Sequence, residues 1–599
     1  MCGLVGVAGD ACLLERLPEA LRRMRHRGPN ALREAEFTSD GFSVRMGFAR
    51  LSIRDLSPVA DQPLSRGTVT VLFNGEIYNA DHLRGHLQAL GRRFLTTGDS
   101  EVVTEAIRTW GFADAIARLE GMFAIAAYDH ADGSVHLARD RFGIKPLYYH
   151  HSAERLLFAS DITSLTCIDP ALRRSIDHDV LTRKILLDPF IGFQPERTAF
   201  SPIQALAPGS VLTWRHGHHA KHRRYYDLLS AAQDGSGPQD LHELLRRTVR
   251  EHIVSDAPLA FALSGGFDSS LLTTLAAELH ENITAFTVDL GSDSMEYGED
   301  GHYARLLAQS LVGLRGRHIV LDRLRPWTID RIDRCVTTLG SPLYDERVRL
   351  WDEIYSTVAA HGIRVFINGQ GADEMWYGYY PKIWNWFTNL YQEPHHRNSY
   401  RSYFDGRWSS SPLRGILRPE HEVRLPDLAN EVFDDVEGGD PTGEPGRKLS
   451  LHLVRTCLGA ILEFEDALSM RHSVEVRVPF VDHKVAETAL RIRAAEHIGD
   501  GSTGKAVLKG AFADLLPRDV VRRQKAPLPK PRHDNGSLRR LYAQHLSELV
   551  EDGLVQSLYL PHELKRLLEP CEAGTFYANP GEAMLQILST WRFNEVNRA

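Results

Sequence analysis

The stretch "APLAFALSGGFDSSLLTTLAAEL" (257–279) decides the fold of the larger part of the chain. Its first half is a short apolar run of strand type, its middle is a pair of glycines, and its second half carries apolar residues at helical spacing. A buried strand, a glycine turn and a helix in succession are the unit of an α/β domain. Two later apolar runs, "ITAFTVDL" (283–290) and "IRVFINGQG" (363–371), alternate with helical segments in the same way. Together they predict a doubly wound parallel sheet, in which ligands bind beyond the carboxyl ends of the strands.

The turn itself, "SGGFDSS" (264–270), suits a phosphate. Its glycines let backbone N–H groups approach an anion closely, and the helix N-terminus adds partial positive charge at the same point. It is not a Walker A loop, because the G-x-x-x-x-G-K-[ST] spacing is missing. Read alone, it is equally a tight turn whose Asp268 and Ser269 cap a helix. "NGQGADE" (368–374) follows another apolar run and carries two carboxylates suited to magnesium. "SVEVRVPFVDHK" (473–484) and "TGKAVLK" (503–509) add an arginine, an aspartate and a lysine in apolar settings. Lys505 is either solvated surface or a cation stabilising charge on a triphosphate or a tetrahedral intermediate.

Toward the N-terminus the pattern changes to short strands: "GFSVRMGFARLSI" (41–53), "TVTVLFNGEIYN" (68–79), "GMFAIAAYD" (121–129) and "SVHLARD" (134–140). A few amphipathic helices interrupt them, such as the one around "DHLRGHLQAL" (81–90), which predicts a strand-rich α+β domain. A Gly/Ser/Pro stretch at 235–238 separates the two patterns. The expected division is a first domain over 1–210, a linker over 211–238 and a second domain over 239–599 with a helical C-terminus. "LPDLANEVFDDVEGGDPTGEPGRK" (425–448) and "QKAPLPKPRHDNGS" (524–537), rich in Pro, Gly and charge, read as exposed loops.

The chain opens "MCGLVGVAGD", with a thiol at position 2. Once the initiator methionine is trimmed, Cys2 carries both a thiol and an α-amino group that is partly neutral at physiological pH, so one residue supplies nucleophile and base. The competing reading is an ordinary buried cysteine in a first strand.

At 599 residues the chain is too long for one core. With 43% hydrophobic and 25% charged residues it falls among globular proteins. A net charge of −8 with no basic run gives no reason to expect nucleic acid. The six cysteines include no C-x-x-C pair, which argues against a disulfide framework or a zinc site and fits a reducing cytoplasm. Asp10 and Glu15 break the N-terminal apolar run, so it does not read as a signal peptide. No stretch reaches the roughly 18 apolar residues of a membrane span, and the expected location is cytoplasmic.

Ten motifs in order carry a resemblance. "MCGLVGV", "RHRGPN", "ARLSIRDLS", "FNGEIYN", "TTGDSEV" and "ARDRFGIKPLYY" make the first part resemble the class II glutamine amidotransferase domain, an N-terminal-nucleophile (Ntn) hydrolase with an α/β/β/α sandwich. "SGGFDSS", "NGQGADE", "SMRHSVEVRVPFVD" and "GKAVLKGAF" make the second resemble the ATP-pyrophosphatase synthetase domain. Together they resemble the glutamine-hydrolysing asparagine synthetase family. The resemblance implies that Cys2 attacks the side-chain amide of glutamine. Arg50 would hold the substrate α-carboxylate and Asp99 its α-ammonium; Asn74 and the Gly75 backbone would donate to the oxyanion, and Glu76 would close the pocket. It implies ATP on Leu263, Ser264, Gly265, Gly266, Asp268, Ser269, Val288, Asn368 and Gly369, magnesium on Asp268 and Asp373, and Lys505 on the pyrophosphate. A carboxylate, with aspartate the first candidate, would become an acyl-adenylate and then an amide, with a shielded ammonia passage between the sites. A homodimer is compatible with this reading.

Three departures bear on the acceptor. Gln370 stands where the family carries a glutamate within "GEG" and cannot itself serve as a base, so restoring glutamate there is expected to maintain or raise asparagine formation. Tyr377, in "MWYGYY" (375–380), replaces a common glycine and is expected to reshape the acceptor pocket. "RRQKAPLPKPRHD" (522–534) departs from the family's loop ending. Two further readings stay open: amidation or cyclisation of another carboxylate, and a non-catalytic binding protein.

Overall fold

The computed structural model describes residues 2–9, 11–39, 41–187, 189–234, 240–280, 283–291, 300–311, 314, 317–379, 396–440, 444–500, 504–523, 535–569 and 580–598. Most of the loop expected at 524–537, and Cys571, lie outside these residues. The other five cysteines are free thiols.

Twelve strands build the first domain: β1 (Gly3–Gly9), β2 (Ala31–Ser39), β3 (Phe42–Arg50), β4 (Leu64–Arg66), β5 (Val69–Ile77), β6 (Gly121–Asp129), β7 (Ser134–Arg139), β8 (Tyr148–His151), β9 (Leu156–Ala159), β10 (Gln204–Ala205), β11 (Ser210–Trp214) and β12 (Lys221–Arg224). They form two six-stranded sheets, in the orders β10-β8-β9-β1-β3-β2 and β12-β11-β7-β6-β5-β4. The alternation of side chains on each strand explains the layering. Leu4, Val44, Met46 and Phe48 meet Leu72, Ala126, Leu137 and Trp214 between the sheets. Val71, Phe73 and Ile125 turn outward onto a helical layer that includes Leu83, Val103 and Ile116. Val5 and Val7 face Leu17, Leu21 and Leu165 on the other side. The result is the expected α/β/β/α sandwich. At Gly6 a Cβ would lie 2.0 Å from the Phe158 ring, which lets β9 close on β1.

The sheet runs past the boundary expected at 210. Strand β11 pairs with β7 from Val211↔Ala138 to Trp214↔Val135 and with β12 from Ser210↔Arg224 to Thr213↔Lys221, so this part of the expected linker is folded into the first domain. Leu212 and Trp214, both fully buried, supply the reason.

The second domain is built on a five-stranded sheet, β13 (Leu259–Ala262), β14 (Ala285–Val288), β15 (His318–Leu321), β16 (Val365–Ile367) and β17 (Glu475–Arg477), in the order β15-β14-β13-β16-β17. Every pairing is parallel. The order turns outward in opposite directions from β13 and β16, which places the switch-point crevice of a doubly wound sheet between the loops after them. The 425–448 stretch is not an exposed loop. Helices span Leu425–Gly439 and Pro445–Leu453, and Leu425, Leu428, Ala429, Val432 and Val436 are buried at helical spacing. The Gly/Pro count concealed that period.

Candidate functional site

Two groups of predicted residues are brought together, one in each domain. In the first, Cys2 precedes the central strand β1, and Asn74 stands on β5 of the other sheet. The Cys2 N–H donates to Asn74 Oδ1 at 2.8 Å, while Asn74 Nδ2 is buried with no hydrogen-bond partner. An unpaired buried amide donor is costly and marks a place for an acceptor atom. The Leu51 N–H points at Cys2 Sγ, 3.4 Å away, and Arg27 Nε donates to the Cys2 carbonyl at 3.2 Å. Burial pushes the thiol pKa up; the N-terminal amino group, the Leu51 backbone and Arg50 pull against it. Gly75 is required sterically, since a Cβ there would lie 2.0 Å from the Met122 carbonyl oxygen.

Glu76 accepts from Arg54 Nη1 and from Arg477 Nη2, both at 2.9 Å. Burial raises its pKa to about 8 in spite of both arginines, with the nearby Asp99 and Glu475 adding to the rise. Asp99 starts the helix Asp99–Trp110 and accepts from the Ile77 N–H at 2.9 Å; burial raises it as well, opposed by Arg54. Arg50 is nearly buried, and its Nη1 donates to Asp61 Oδ1 and to the Ser57 carbonyl, each at 2.7 Å. Its Nη2 bonds the Asp55 carbonyl. It thus fastens the 55–61 loop beside the thiol.

The second group surrounds the switch point. Gly265 takes φ 67, and a Cβ on it would lie 2.6 Å from the Ala304 N. Ser264 and Ser269 share a hydroxyl contact of 3.0 Å across the turn, and the helix Phe267–Ala277 begins there. Lys505 Nζ lies 2.5 Å from Asp268 Oδ2 and 2.5 Å from Asp373 Oδ1, so two carboxylates from different loops converge on one cation. Asp268 Oδ1 is buried without a hydrogen bond. Lys505 itself adopts a left-handed backbone, φ 64. At Gly369 a Cβ would come within 2.9 Å of Asp268 Cβ, and at Gly378 within 1.9 Å of Asp373 Oδ1, so the 368–378 segment packs directly on this cluster. Leu263 departs from expectation: its N–H bonds the Phe286 carbonyl at 2.8 Å and its carbonyl accepts from Thr287 Oγ1 at 2.5 Å, so its backbone is committed to the sheet. Val288 ends β14, next to β13 in the sheet.

Gln370 and Asn368 both donate to one carboxylate, Glu465, on the helix Gly459–Arg471. Tyr377 occupies the left-handed region, φ 62, and its ring stacks on His497 with centroids 4.7 Å apart, packing against the 494–498 helix.

Several charged residues were not anticipated as site residues. Arg27 also reaches Asp466 Oδ2 at 2.7 Å, and Lys145 Nζ lies 3.9 Å from Asp466 Oδ1, all buried. Arg477 Nε donates to Glu475 at 2.6 Å. Burial alone would raise Glu475, but the N-terminal amino group, Arg477 and Lys145 outweigh it and hold it down at about 2. Arg523 Nη1 donates to the Ser264 carbonyl at 3.2 Å and lies 4.6 Å from the Tyr303 ring centroid. Arg27, Lys145, Glu475 and Arg477 sit inside recognisable motifs; Glu465 sits in none.

The two domains separate equally in comparison with known proteins. A family model for a glutamine amidotransferase domain matches residues 1–226, and one for asparagine synthase matches residues 240–592. Asparagine synthetase [glutamine-hydrolyzing] 3 of Bacillus subtilis is 25% identical, over 95% of this chain and 93% of that protein. Asparagine synthetase [glutamine-hydrolyzing] 1 of the same organism is 28% identical, over 93% and 90%. Amidase chyE of Penicillium rubens is 28% identical over 61% of this chain and 55% of its own.

Proposed function

The chain belongs to the asparagine synthase family, and we propose that it transfers the amide nitrogen of glutamine to a carboxylate activated by ATP, with aspartate as the acceptor and asparagine, glutamate, AMP and pyrophosphate as products. The observation that carries the coupled reading is Arg477. Its guanidinium holds Glu76 at the first site, and its carbonyl accepts the Asn368 N–H of the second at 3.1 Å.

In the glutaminase half, Cys2 Sγ adds to the amide carbon of glutamine. Asn74 Nδ2 donates to the oxyanion, ammonia leaves, and water hydrolyses the thioester to glutamate. Asp99 and Glu76 provide negative charge for the substrate α-ammonium. Arg50 reads the α-carboxylate with donors that now hold the loop, so its hydrogen bonds rearrange on binding. In the synthetase half, an acceptor carboxylate oxygen attacks the α-phosphorus and pyrophosphate departs along the Ser264–Ser269 loop, next to Lys505 and Arg523. Ammonia then attacks the acyl carbon and AMP leaves.

The residues fit a divalent cation brought in with the triphosphate: Asp268 and Asp373 already converge on one positive charge, and one Asp268 oxygen is unpartnered. Such a magnesium ion neutralises charge on the departing pyrophosphate. Among the described residues no group of three or more metal-binding side chains exists, consistent with a metal held largely by phosphate. Neutral ammonia needs a shielded route. The chain Cys2 carbonyl, Arg27, Asp466, with Glu465 adjacent, gives the shortest bonded path between the sites. Among the described residues no helix is long and apolar enough to cross a membrane.

Likeness to a fungal amidase, together with Gln370, favours a second reading in which another carboxylate takes the place of aspartate. Incubation with ATP, ammonium and a panel of carboxylic acids headed by aspartate separates the two. AMP and asparagine from aspartate support the first, AMP with a different acid supports the second, and ADP in place of AMP rejects both.

A further inference from the structure

Gln370 occupies the end of a loop that packs on Asp268, yet a glutamine can neither take a proton nor carry charge. The structure puts a carboxylate directly behind it. Glu465 is 3% exposed, comes from a helix rather than from either switch-point loop, and accepts from Gln370 Nε2 at 3.2 Å and from Asn368 Nδ2 at 3.0 and 3.1 Å. The Tyr355 hydroxyl also bonds it. No other carboxylate bonds Gln370 among the described residues, and none of the roles argued above uses Glu465.

Resting on the amidation reading, we propose that Glu465 is the positioning residue of the amide-forming step, the carboxylate that works through Gln370. By holding Nε2, Glu465 turns Gln370 Oε1 toward the crevice, where it accepts an N–H of the attacking ammonia. As the C–N bond forms, the C–O bond to AMP breaks and its electron pair leaves with the nucleotide. The nitrogen gains positive charge and finally sheds one proton to solvent. A buried negative charge one residue away stabilises that nitrogen in the transition state more than in the reactants. Burial raises the Glu465 pKa, while the Asn368, Gln370 and Tyr355 hydrogen bonds and the Lys145 charge favour the carboxylate form. Adenylation, which precedes attack by nitrogen, does not need this arrangement.

The test separates the two half-reactions at saturating ammonium, with the acid that the wild-type chain uses, aspartate first. E465Q should lower amide formation about a hundredfold, the ordinary effect of one oriented polar group at a reacting centre. Exchange of labelled pyrophosphate into ATP should stay within about twofold of wild type, because adenylation is separate chemistry. The swapped chain E465Q/Q370E, with the carboxylate moved to the loop, should recover at least about tenfold over E465Q, and E465D should retain more than E465Q. Amide formation unchanged in E465Q overturns the inference. So does parallel loss of exchange in E465Q and E465D, which marks a purely structural role. A wild type that releases AMP with no acid overturns the amidation reading itself; a wild type that turns over alongside an unaffected E465Q overturns the inference alone.

Discussion

Arg477 and Glu76, 401 positions apart in the chain, form a buried ion pair of 2.9 Å between the two domains. Arg477 is on β17, which lies in parallel register with β16, Ile367 facing Arg477, so the strand leading into the Asn368–Gln370 loop and the arginine holding Glu76 are one rigid unit. Removing one partner of a buried pair leaves the other charge uncompensated at about 3–5 kcal/mol. R477M should therefore lower the unfolding midpoint and also abolish any acceleration of glutamine hydrolysis by ATP plus acceptor. R477M/E76Q should regain stability without regaining that acceleration. Thermal melts and glutaminase rates with and without ATP and acceptor measure both effects.

Cys2→Ala should abolish glutamine-dependent amide formation while ammonia-dependent formation stays within about twofold, because the nucleophile and the nucleotide loop are in separate domains. The same rates measured with glutamine and with ammonium decide it; a C2A chain that still uses glutamine refutes the first-site assignment.

Asp268→Asn should remove pyrophosphate exchange and AMP formation with either nitrogen source, by about a hundredfold or more, since Lys505 would face one carboxylate in place of two. Retention of wild-type exchange would dismiss the switch-point site.

Tyr377→Gly changes stability rather than acceptor choice. A left-handed backbone costs a non-glycine about 1–3 kcal/mol, which glycine recovers. Loss of a buried aromatic ring costs about 3–5 kcal/mol, and this ring stacks on His497. The net expectation is a loss of roughly 2 kcal/mol with acceptor preference unaltered, measured by denaturant unfolding and by competition between acids.

His252 makes the fold acid-sensitive. It is buried, its Nδ1–H donates to the Thr248 carbonyl at 2.8 Å, and its ring stacks on Tyr78. Burial lowers its pKa to about 3, aided by Arg477. The unfolded chain binds a proton there below about 6.5 and the folded chain does not, so unfolding takes up protons and stability falls as pH drops from about 6.5 toward 3. H252N should flatten that part of the melting-temperature profile. An unchanged slope would show that other groups set it.

The sequence by itself determined the two fold classes, the turn after β13, the loop after β16 and the cysteine at the head of β1. These are local devices: glycines, apolar runs and loop residues act within a few positions of one another, and their order along the chain identifies them. It misjudged 211–214, where Leu212 and Trp214 complete a sheet, and 425–448, where composition hid helical spacing. Only the tertiary structure decided which charges meet. Glu76 with Arg477, Arg27 with Asp466, and Gln370 with Glu465 are separated by 401, 439 and 95 positions. It also reverses one expectation: Q370E alone would place a second carboxylate against Glu465 and should lower activity, not maintain it. A buried charge is tolerated only beside its partner, and which partner arrives is set by how β17 and the 459–471 helix pack against the first domain.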